Sequence, residues 1–152
     1  MPAIMFRPSI AALAAAVLVA TGTWSFAATV SFRAELSGAR EVPPTQSKGT
    51  GSLKATLDPA SNTLTWTGSY SGLSGPATGA HFHGPVSYVG LTSEQNAPIQ
   101  VGIPGSLASP FKGSTTITDA QAKDLMDGRW YFNIHTRANR DGEIRGQIVR
   151  IY

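Results

Sequence analysis

The sequence predicts an all-β domain built as a sandwich or barrel of short strands. Glycine and proline interrupt the chain roughly every 8–12 residues, a spacing typical of short strands joined by turns. Between these interruptions apolar and polar residues alternate, as in a strand that buries one face. The chain contains no internal repeat and no second domain, so one sandwich or barrel is expected to hold its core.

Residues 1–27 are predicted to be a secretory signal peptide. Arg7 is the lone charge before the apolar run Ile10–Ala20, and the small residues Ser25 and Ala27 stand at the positions that precede a cut after Ala27. An uncleaved membrane anchor is the alternative, but a span needs about 20 apolar residues and this run is shorter. Cleavage is expected to leave an exported protein, periplasmic or secreted, without a transmembrane anchor.

Residues 28–152 form the predicted domain, and its first half is expected to contain four strands. Residues 29–37 and 51–57 each place an apolar residue at every second position, as a strand with one buried face requires. A turn with proline and asparagine follows, and alternation resumes over 64–70. Residues 77–83 are the fourth strand.

The second half is expected to contain four further strands. A loop rich in glycine and proline carries one short strand near 99–103, and 111–117 is another. Residues 129–136 and 143–152 alternate clearly, and a turn with an Asp-Gly pair lies between them. These last two strands are therefore predicted to pair as a hairpin.

One short connecting helix is predicted at about 118–127. Thr118 is the expected N-cap, and Gln121, three residues on, completes a capping box. Leu125 falls at helical spacing on the apolar side, and Gly128 is the expected C-terminal stop.

The composition limits the classes of partner. The chain carries 12 Lys and Arg against 9 Asp and Glu, for a net charge of +3. It has no basic helix and no aromatic stacking platform, so nucleic acid is not an expected partner. It contains no cysteine, so the exported domain forms no disulfides and carries no lipidated N-terminal cysteine.

The three histidines of the chain are the candidate metal ligands. His81 and His83 are two residues apart in a predicted strand, so both imidazoles point to the same face. His135 lies on another predicted strand, on the face opposite its apolar residues. If the two strands are neighbours, the three rings can hold one zinc or copper ion. The alternative is that they are polar residues of a solvated face, and the pattern leaves both interpretations open.

Four polar residues close to His135 in sequence are candidate supporting groups for this site. Asp141 and Glu143 flank a turn glycine, where either can orient an imidazole or add a ligand. Alternatively, Asp141 only forms the turn, and Glu143 pairs with Arg145 or with a neighbouring strand. In a metal-free protein, Asn133, His135, Glu143 and Arg145 would instead form a polar network between the last two strands.

Three ordered stretches of the sequence carry a family resemblance. They are Leu36–Pro44, then Ala80–Pro85 with its Ala-His-x-His-Gly pattern, then Tyr131–Thr136 followed by Gly142–Ile148. Together they resemble the CHRD domain, the module named after chordin and common in exported bacterial proteins. The resemblance extends over about residues 30–151.

This resemblance implies an immunoglobulin-like Greek-key β-sandwich as the fold. A weaker similarity is to the copper ligands of Cu/Zn superoxide dismutases, in which His81 and His83 match the paired ligands and His135 the later one. The chain has only three histidines and no cysteine, so neither the bridged two-metal site nor the disulfide of those enzymes can form. A site for a single ion is the most that the similarity implies.

Three functions are compatible with the sequence. The leading hypothesis is an exported protein that binds one copper or zinc ion. The second is a non-catalytic interaction or structural module without metal, whose partner is another envelope or extracellular protein. The third is a mononuclear metal oxidoreductase or zinc hydrolase, for which the sequence positions no general base, so no catalytic residue is assigned.

Overall fold

The computed structural model describes residues 28–87 and 95–152, so the predicted signal peptide lies outside the described residues. Within those ranges the elements follow one another as β1 Val30–Ser37, a 3₁₀ turn Gly38–Arg40, β2 Thr50–Asp58, β3 Thr63–Ser71, β4 Ala77–His83, β5 Ile99–Gly102, β6 Phe111–Thr116, α1 Asp119–Met126, β7 Tyr131–Thr136, β8 Ile144–Gln147 and β9 Val149–Ile151. The prediction of an all-β fold with one short helix is confirmed.

The strands form one curled antiparallel sheet. In the described part of the chain, the nine strands take the order β5–β4–β7–β8–β1–β2–β3–β6, and β9 pairs with β1. The strand β1 therefore lies between its sequence neighbour β2 and the C-terminal strands β8 and β9. Apart from β1–β2 and β2–β3, most paired strands are distant in sequence. Tertiary packing therefore has to stabilise this strand order.

The core lies between the two halves of the curled sheet. Trp66 of β3 and Phe82 of β4 meet edge to face with ring centroids 5.4 Å apart, although their strands lie near opposite ends of the strand order. Phe111 of β6 stacks on Phe132 of β7 at 6.0 Å in the same way. Full burial of such side chains stabilises the fold by about 1.5–3 kcal/mol each. The aromatic contacts therefore close the sheet on itself as a sandwich.

The helix α1 begins and ends as the capping pattern predicts. The Thr118 hydroxyl accepts the backbone N–H of Gln121, and the Gln121 side chain accepts the backbone N–H of Thr118. Gly128 follows the helix with a φ of +73°, a conformation that favours glycine. Leu125 packs the helix into the core. No helix in residues 28–87 and 95–152 is long and apolar enough to span a membrane.

The prediction of one strand over 143–152 is corrected by the structure, which has two strands there, β8 and β9. β8 pairs with β7 and touches β1 through Ser37, whereas β9 pairs only with β1 at Ser31–Arg33. Between them, Ile148 is fully buried and its backbone N–H donates to the carbonyl of Trp130. The division arises because the chain changes its pairing partner at Ile148, a tertiary effect that local alternation does not encode.

The backbones of β1 and β8 approach so closely that position 146 has no room for a side chain. A Cβ at Gly146 would lie 2.2 Å from the carbonyl oxygen of Glu35 and 2.9 Å from a methyl of Leu36. Gly75 is the opposite case, because a Cβ there would meet nothing within 4 Å. The contact between the first strand and β8 therefore requires glycine at position 146.

Replacing Gly146 with alanine is expected to weaken the β1–β8 contact. Because the clash is with backbone, Gly146→Ala should lower the free energy of unfolding by about 1–3 kcal/mol. Gly75→Ala is the matched control and should change it by less than about 0.5 kcal/mol. Urea denaturation followed by tryptophan fluorescence measures both, and equal midpoints for the two variants would contradict the prediction.

Candidate metal centre

The pairing of β4 with β7 brings the three histidines to one face of the sheet. In the antiparallel register, Gly79 lies opposite His135, and His81 lies opposite Asn133. Because side chains alternate along a strand, His81, His83 and His135 share the face that points away from the aromatic core. The sequence predicted a shared site only if the strands of these histidines were neighbours. The pairing of β4 with β7 meets that condition.

The three imidazole rings converge. Nδ1 of His81 lies 3.0 Å from Nε2 of His135, and one ring nitrogen from each histidine lies within 4.8 Å of those of the other two. The ring centroids are 4.8 Å apart for His81 and His135, and 5.6 Å apart for His81 and His83. The rings therefore lie close enough together to be candidate ligands of a single ion.

Backbone carbonyls hold two of the rings from behind. Nδ1 of His83 lies 2.8 Å from the carbonyl oxygen of Ala97, and Nδ1 of His135 lies 2.8 Å from that of Arg140. A carbonyl only accepts, so Nδ1 of each ring carries the hydrogen and Nε2 of the neutral ring presents a lone pair. Such a contact on the far nitrogen is the usual way in which proteins orient a metal-binding histidine.

The Nε2 atom of His83 is one of five buried side-chain nitrogen and oxygen atoms in the described residues that have no hydrogen-bond partner. His83 is 8% exposed, and Nε2 makes no hydrogen bond of ordinary geometry within the described ranges. Buried polar atoms are satisfied in the great majority of cases, so each exception calls for an explanation. Since Nδ1 of His83 donates to the carbonyl of Ala97, its Nε2 is an acceptor. This Nε2 lies on the side of His81 and His135.

Burial favours the neutral form of His81 and His83. Burial, followed by the nearby rings of His135 and His83, lowers the pKa of His81 to about 4. Burial also lowers the pKa of His83, although the hydrogen bond to Ala97 and the nearby Asn133 amide oppose this effect. His81 and His83 are therefore unprotonated at neutral pH, which is the form that binds metal.

The three rings fit one metal ion after a small adjustment. Imidazole nitrogens bind zinc at about 2.0–2.1 Å, so two ligands of one ion are at most about 4.2 Å apart. The 3.0 Å contact between His81 and His135 lies within that limit, and the 4.8 Å span exceeds it by less than about 1 Å. A shift of less than about 1 Å would bring all three nitrogens within the limit.

Tyr131 separates the histidines from Arg145. The Tyr131 ring stacks on His83 with centroids 4.8 Å apart and planes 1° apart, and the Arg145 guanidinium carbon lies 3.4 Å from the Tyr131 ring centroid. Because β7 lies between β4 and β8, the tyrosine ring stands between the cation and the imidazole. Arg145 is 2% exposed and also donates to Asn96 and to the carbonyl of Gln95. It thus supports the wall of the site rather than contacting a ring nitrogen.

Asn133 is the predicted supporting residue that touches the histidines. Its Oδ1 lies 2.9 Å from Nε2 of His135. Its side chain also lies near His83, without a hydrogen bond of ordinary geometry to Nε2. Asp141 is exposed in the turn after β7, and among the described residues it has no hydrogen bond to a histidine.

Glu143 lies in a separate cluster, away from both the histidines and Arg145. It is fully buried, and its carboxylate accepts hydrogen bonds of 2.5–3.1 Å from the hydroxyls of Ser47, Ser74 and Thr136, from the Asn139 amide and from the backbone N–H of Ser74. Burial raises the pKa of this group, but these donors outweigh burial and lower the pKa to about 2. Glu143 therefore holds three loops together as an ionised carboxylate.

Glu41 is a buried carboxyl group that was not among the predicted site residues. It is 4% exposed and lies under the turn between β7 and β8, where a Cβ on Gly142 would be 2.3 Å from its Oε1. Burial raises the pKa of Glu41 to about 7, although Arg145, the Val42 N–H and the Asn133 amide lower it. Its place in the Leu36–Pro44 stretch was the only sequence signal that could have indicated a role.

Comparison with known proteins supports a family assignment. The family model described as the CHRD domain matches residues 32–148, which include both paired strands of the site. Comparison with curated proteins and with solved structures finds no match.

Glu143→Gln is expected to destabilise the fold in a pH-dependent way. The glutamine replaces an accepting oxygen by an NH₂ group, which would face hydrogen-bond donors. The free energy of unfolding should therefore fall by about 1–3 kcal/mol at pH 7. Because the pKa of Glu143 is lowered from 4.5 to about 2, its contribution is present above pH 4.5 and is lost as the pH falls toward 2. The difference between variant and wild type should therefore shrink across that window.

Chemical denaturation between pH 2.5 and 7 measures this difference. The quantity to compare is the difference in free energy of unfolding between Glu143→Gln and wild type. Glu41 and the other titrating groups are present in both proteins, so their contributions cancel in this difference. Glu35→Gln is the control, because Glu35 is an exposed carboxylate on β1. A destabilisation by Glu143→Gln that stays constant down to pH 2.5, or that Glu35→Gln reproduces, would contradict the assignment.

Proposed function

The chain belongs to the CHRD domain family, and on that premise we propose that it is an exported protein that binds one copper or zinc ion through His81, His83 and His135. The observation that carries the proposal is the convergence of three imidazoles, two of them held from behind by backbone carbonyls. The lone pair on the buried Nε2 of His83 gains a partner when an ion is bound.

Copper and zinc are the ions that the donor set favours. Imidazole is a borderline ligand that both ions accept, and proteins use three histidines for each. The chain contains three histidines in all, so one ion per chain is the expected stoichiometry. The ion would draw the three rings together and tie β4 to β7 at the polar face of the sheet.

Export is the second part of the proposal. CHRD domains are typically extracellular. The charged start, apolar run and small residues of the first 27 positions match a signal peptide. A domain outside the cytoplasm meets metal ions that cytoplasmic ligands do not sequester, and the absence of cysteine leaves histidine as its borderline ligand.

Metal titration of the full chain, produced without a polyhistidine tag, is the direct test. We expect one Zn²⁺ or Cu²⁺ per chain and a rise in melting temperature on the order of 10 °C when free metal is about 100-fold above Kd. His81→Ala/His83→Ala should weaken binding by more than the 10–100-fold typical of lost supporting contacts. Isothermal titration calorimetry and thermal denaturation measure the two effects.

Thr78→Ala is the matched control, because Thr78 is an exposed residue on the same strand as His81 and His83. It should bind metal as the wild type does. If the double variant retained the wild-type affinity, the histidine site would be wrong. A melting temperature unchanged by metal or by chelator would instead favour an interaction module, whose partner is another envelope or extracellular protein.

Processing of the exported chain tests the signal peptide. Expression in a bacterial host with an intact secretion pathway should yield an extracytoplasmic protein whose first residue is Ala28, as read by N-terminal sequencing or intact mass. Ala27→Asp should block processing, because the residue before the cut has to be small. Ala28→Ser, which keeps a small residue after the cut, is the control. A full-length chain in the cytoplasmic fraction of wild-type cells would refute export.

A further inference from the structure

We propose that Asn133 supplies a fourth ligand, its amide oxygen Oδ1, to the ion held by the three histidines. This inference rests on the proposed metal site and extends it from three nitrogen donors to a set of three imidazoles and one oxygen. If it is correct, the site should prefer divalent ions, which accept oxygen ligands, to monovalent copper.

The register of the sheet places Asn133 at the centre of the three histidines. Asn133 is directly opposite His81 across the β4–β7 pair, and it precedes His135 by two residues on the same face of β7. Its side chain is also close to the ring of His83. Asn133 is 2% exposed, so its amide has to find its partners inside this cluster.

The contact between Asn133 and His135 joins two acceptors when the His135 ring carries a single hydrogen on Nδ1. In that tautomer Nδ1 donates to the Arg140 carbonyl, and Nε2 presents a lone pair. Oδ1 of Asn133, also an acceptor, lies 2.9 Å from that atom. A proton on Nε2 would relieve this one contact. A metal ion would relieve it and also give the unpartnered Nε2 of His83 a bond.

The carboxylate of Glu41 determines which end of the Asn133 amide faces the histidines. The Nδ2 end lies on the side of Gly142, next to Glu41, where a Cβ on Gly142 would be 2.8 Å from Nδ2 and 2.3 Å from Oε1 of Glu41. The Asn133 amide is close enough to the Glu41 carboxyl group to lower its pKa. When Glu41 is ionised, a flipped amide would turn oxygen toward oxygen, so the carboxylate form of Glu41 directs Oδ1 toward the ring nitrogens.

The separations of these donors suit a shared ion. Oδ1 of Asn133 and Nδ1 of His81 lie 2.9 Å and 3.0 Å from Nε2 of His135. Ligands bound to one ion at about 2.0–2.2 Å are roughly 3–3.5 Å apart, so both contacts fall close to that range. Soft Cu⁺ favours thiolate and thioether ligands, whereas Zn²⁺ and Cu²⁺ accept imidazole together with oxygen. The amide oxygen therefore selects for the divalent ions.

Removal of the oxygen tests the fourth ligand in the full chain. Asn133→Leu keeps the size of the side chain without the oxygen, and it should weaken Zn²⁺ binding about 10–100-fold. Anaerobic Cu⁺ affinity should change less than about 3-fold. The visible d–d absorption of the Co²⁺-loaded protein should change in position and intensity, because the number and type of ligands change.

A double variant tests the same ligand if Asn133→Leu does not fold. Glu41→Gln/Asn133→Asp retains an amide–carboxylate pair and the total charge but places the charged oxygen at the ion. It should bind Zn²⁺ at least as tightly as the wild type and shift the Co²⁺ spectrum. Melting temperatures of the metal-free proteins report folding.

Three outcomes would overturn the inference. If Asn133→Leu and the wild type bind Zn²⁺ equally, Asn133 is not a ligand, although the histidine site stands. If Zn²⁺ and Cu⁺ affinities fall together with an unchanged Co²⁺ spectrum, Asn133 only positions His135. If the wild type binds none of these ions, or if His81→Ala/His83→Ala binds them equally well, the proposed metal site fails and the fourth ligand fails with it.

Discussion

The register between β4 and β7 is the constraint on which the polar site depends. Phe82 and Phe132 are directly opposite each other in this pair, both are fully buried, and their ring centroids are 4.9 Å apart. A slip of one residue would send these rings to the polar face and the histidines into the core. The aromatic core therefore sets the register, and the register aligns His81 and His83 with His135.

Two buried carboxyl groups near the site differ in their hydrogen bonding. Glu143 is surrounded by donors and stays ionised, so it ties the loops around Ser47 and Ser74 to the end of β7. Glu41 has fewer donors, and burial dominates its pKa. One carboxylate thus holds the loops, while the other lies beside the Asn133 amide. The hydrogen bonds to Glu143 outweigh burial, whereas those to Glu41 do not.

Local patterns predict much of this fold, and distant contacts account for what they miss. Alternation and the capping box located the strands and α1 to within one or two residues, because these signals depend on neighbours in sequence. The period of two also put His81 and His83 on one face. The division of the last strand at Ile148, and the partners of Glu143, depend on residues up to about a hundred positions away. No local pattern encodes such contacts.

The polar cluster is costly unless something binds there. An unpaired buried polar atom destabilises a fold by about 1–3 kcal/mol, and both Nε2 of His83 and Oε1 of Glu41 are unpaired within the described residues. A domain without disulfides has no covalent crosslink to offset such a loss. The sandwich tolerates the cluster because its aromatic core is extensive, and binding of an ion would turn the unpaired nitrogen into a ligand. The unpaired Nε2 of His83, which lies beside two further imidazoles, is thus better explained as part of a binding site than as a packing defect.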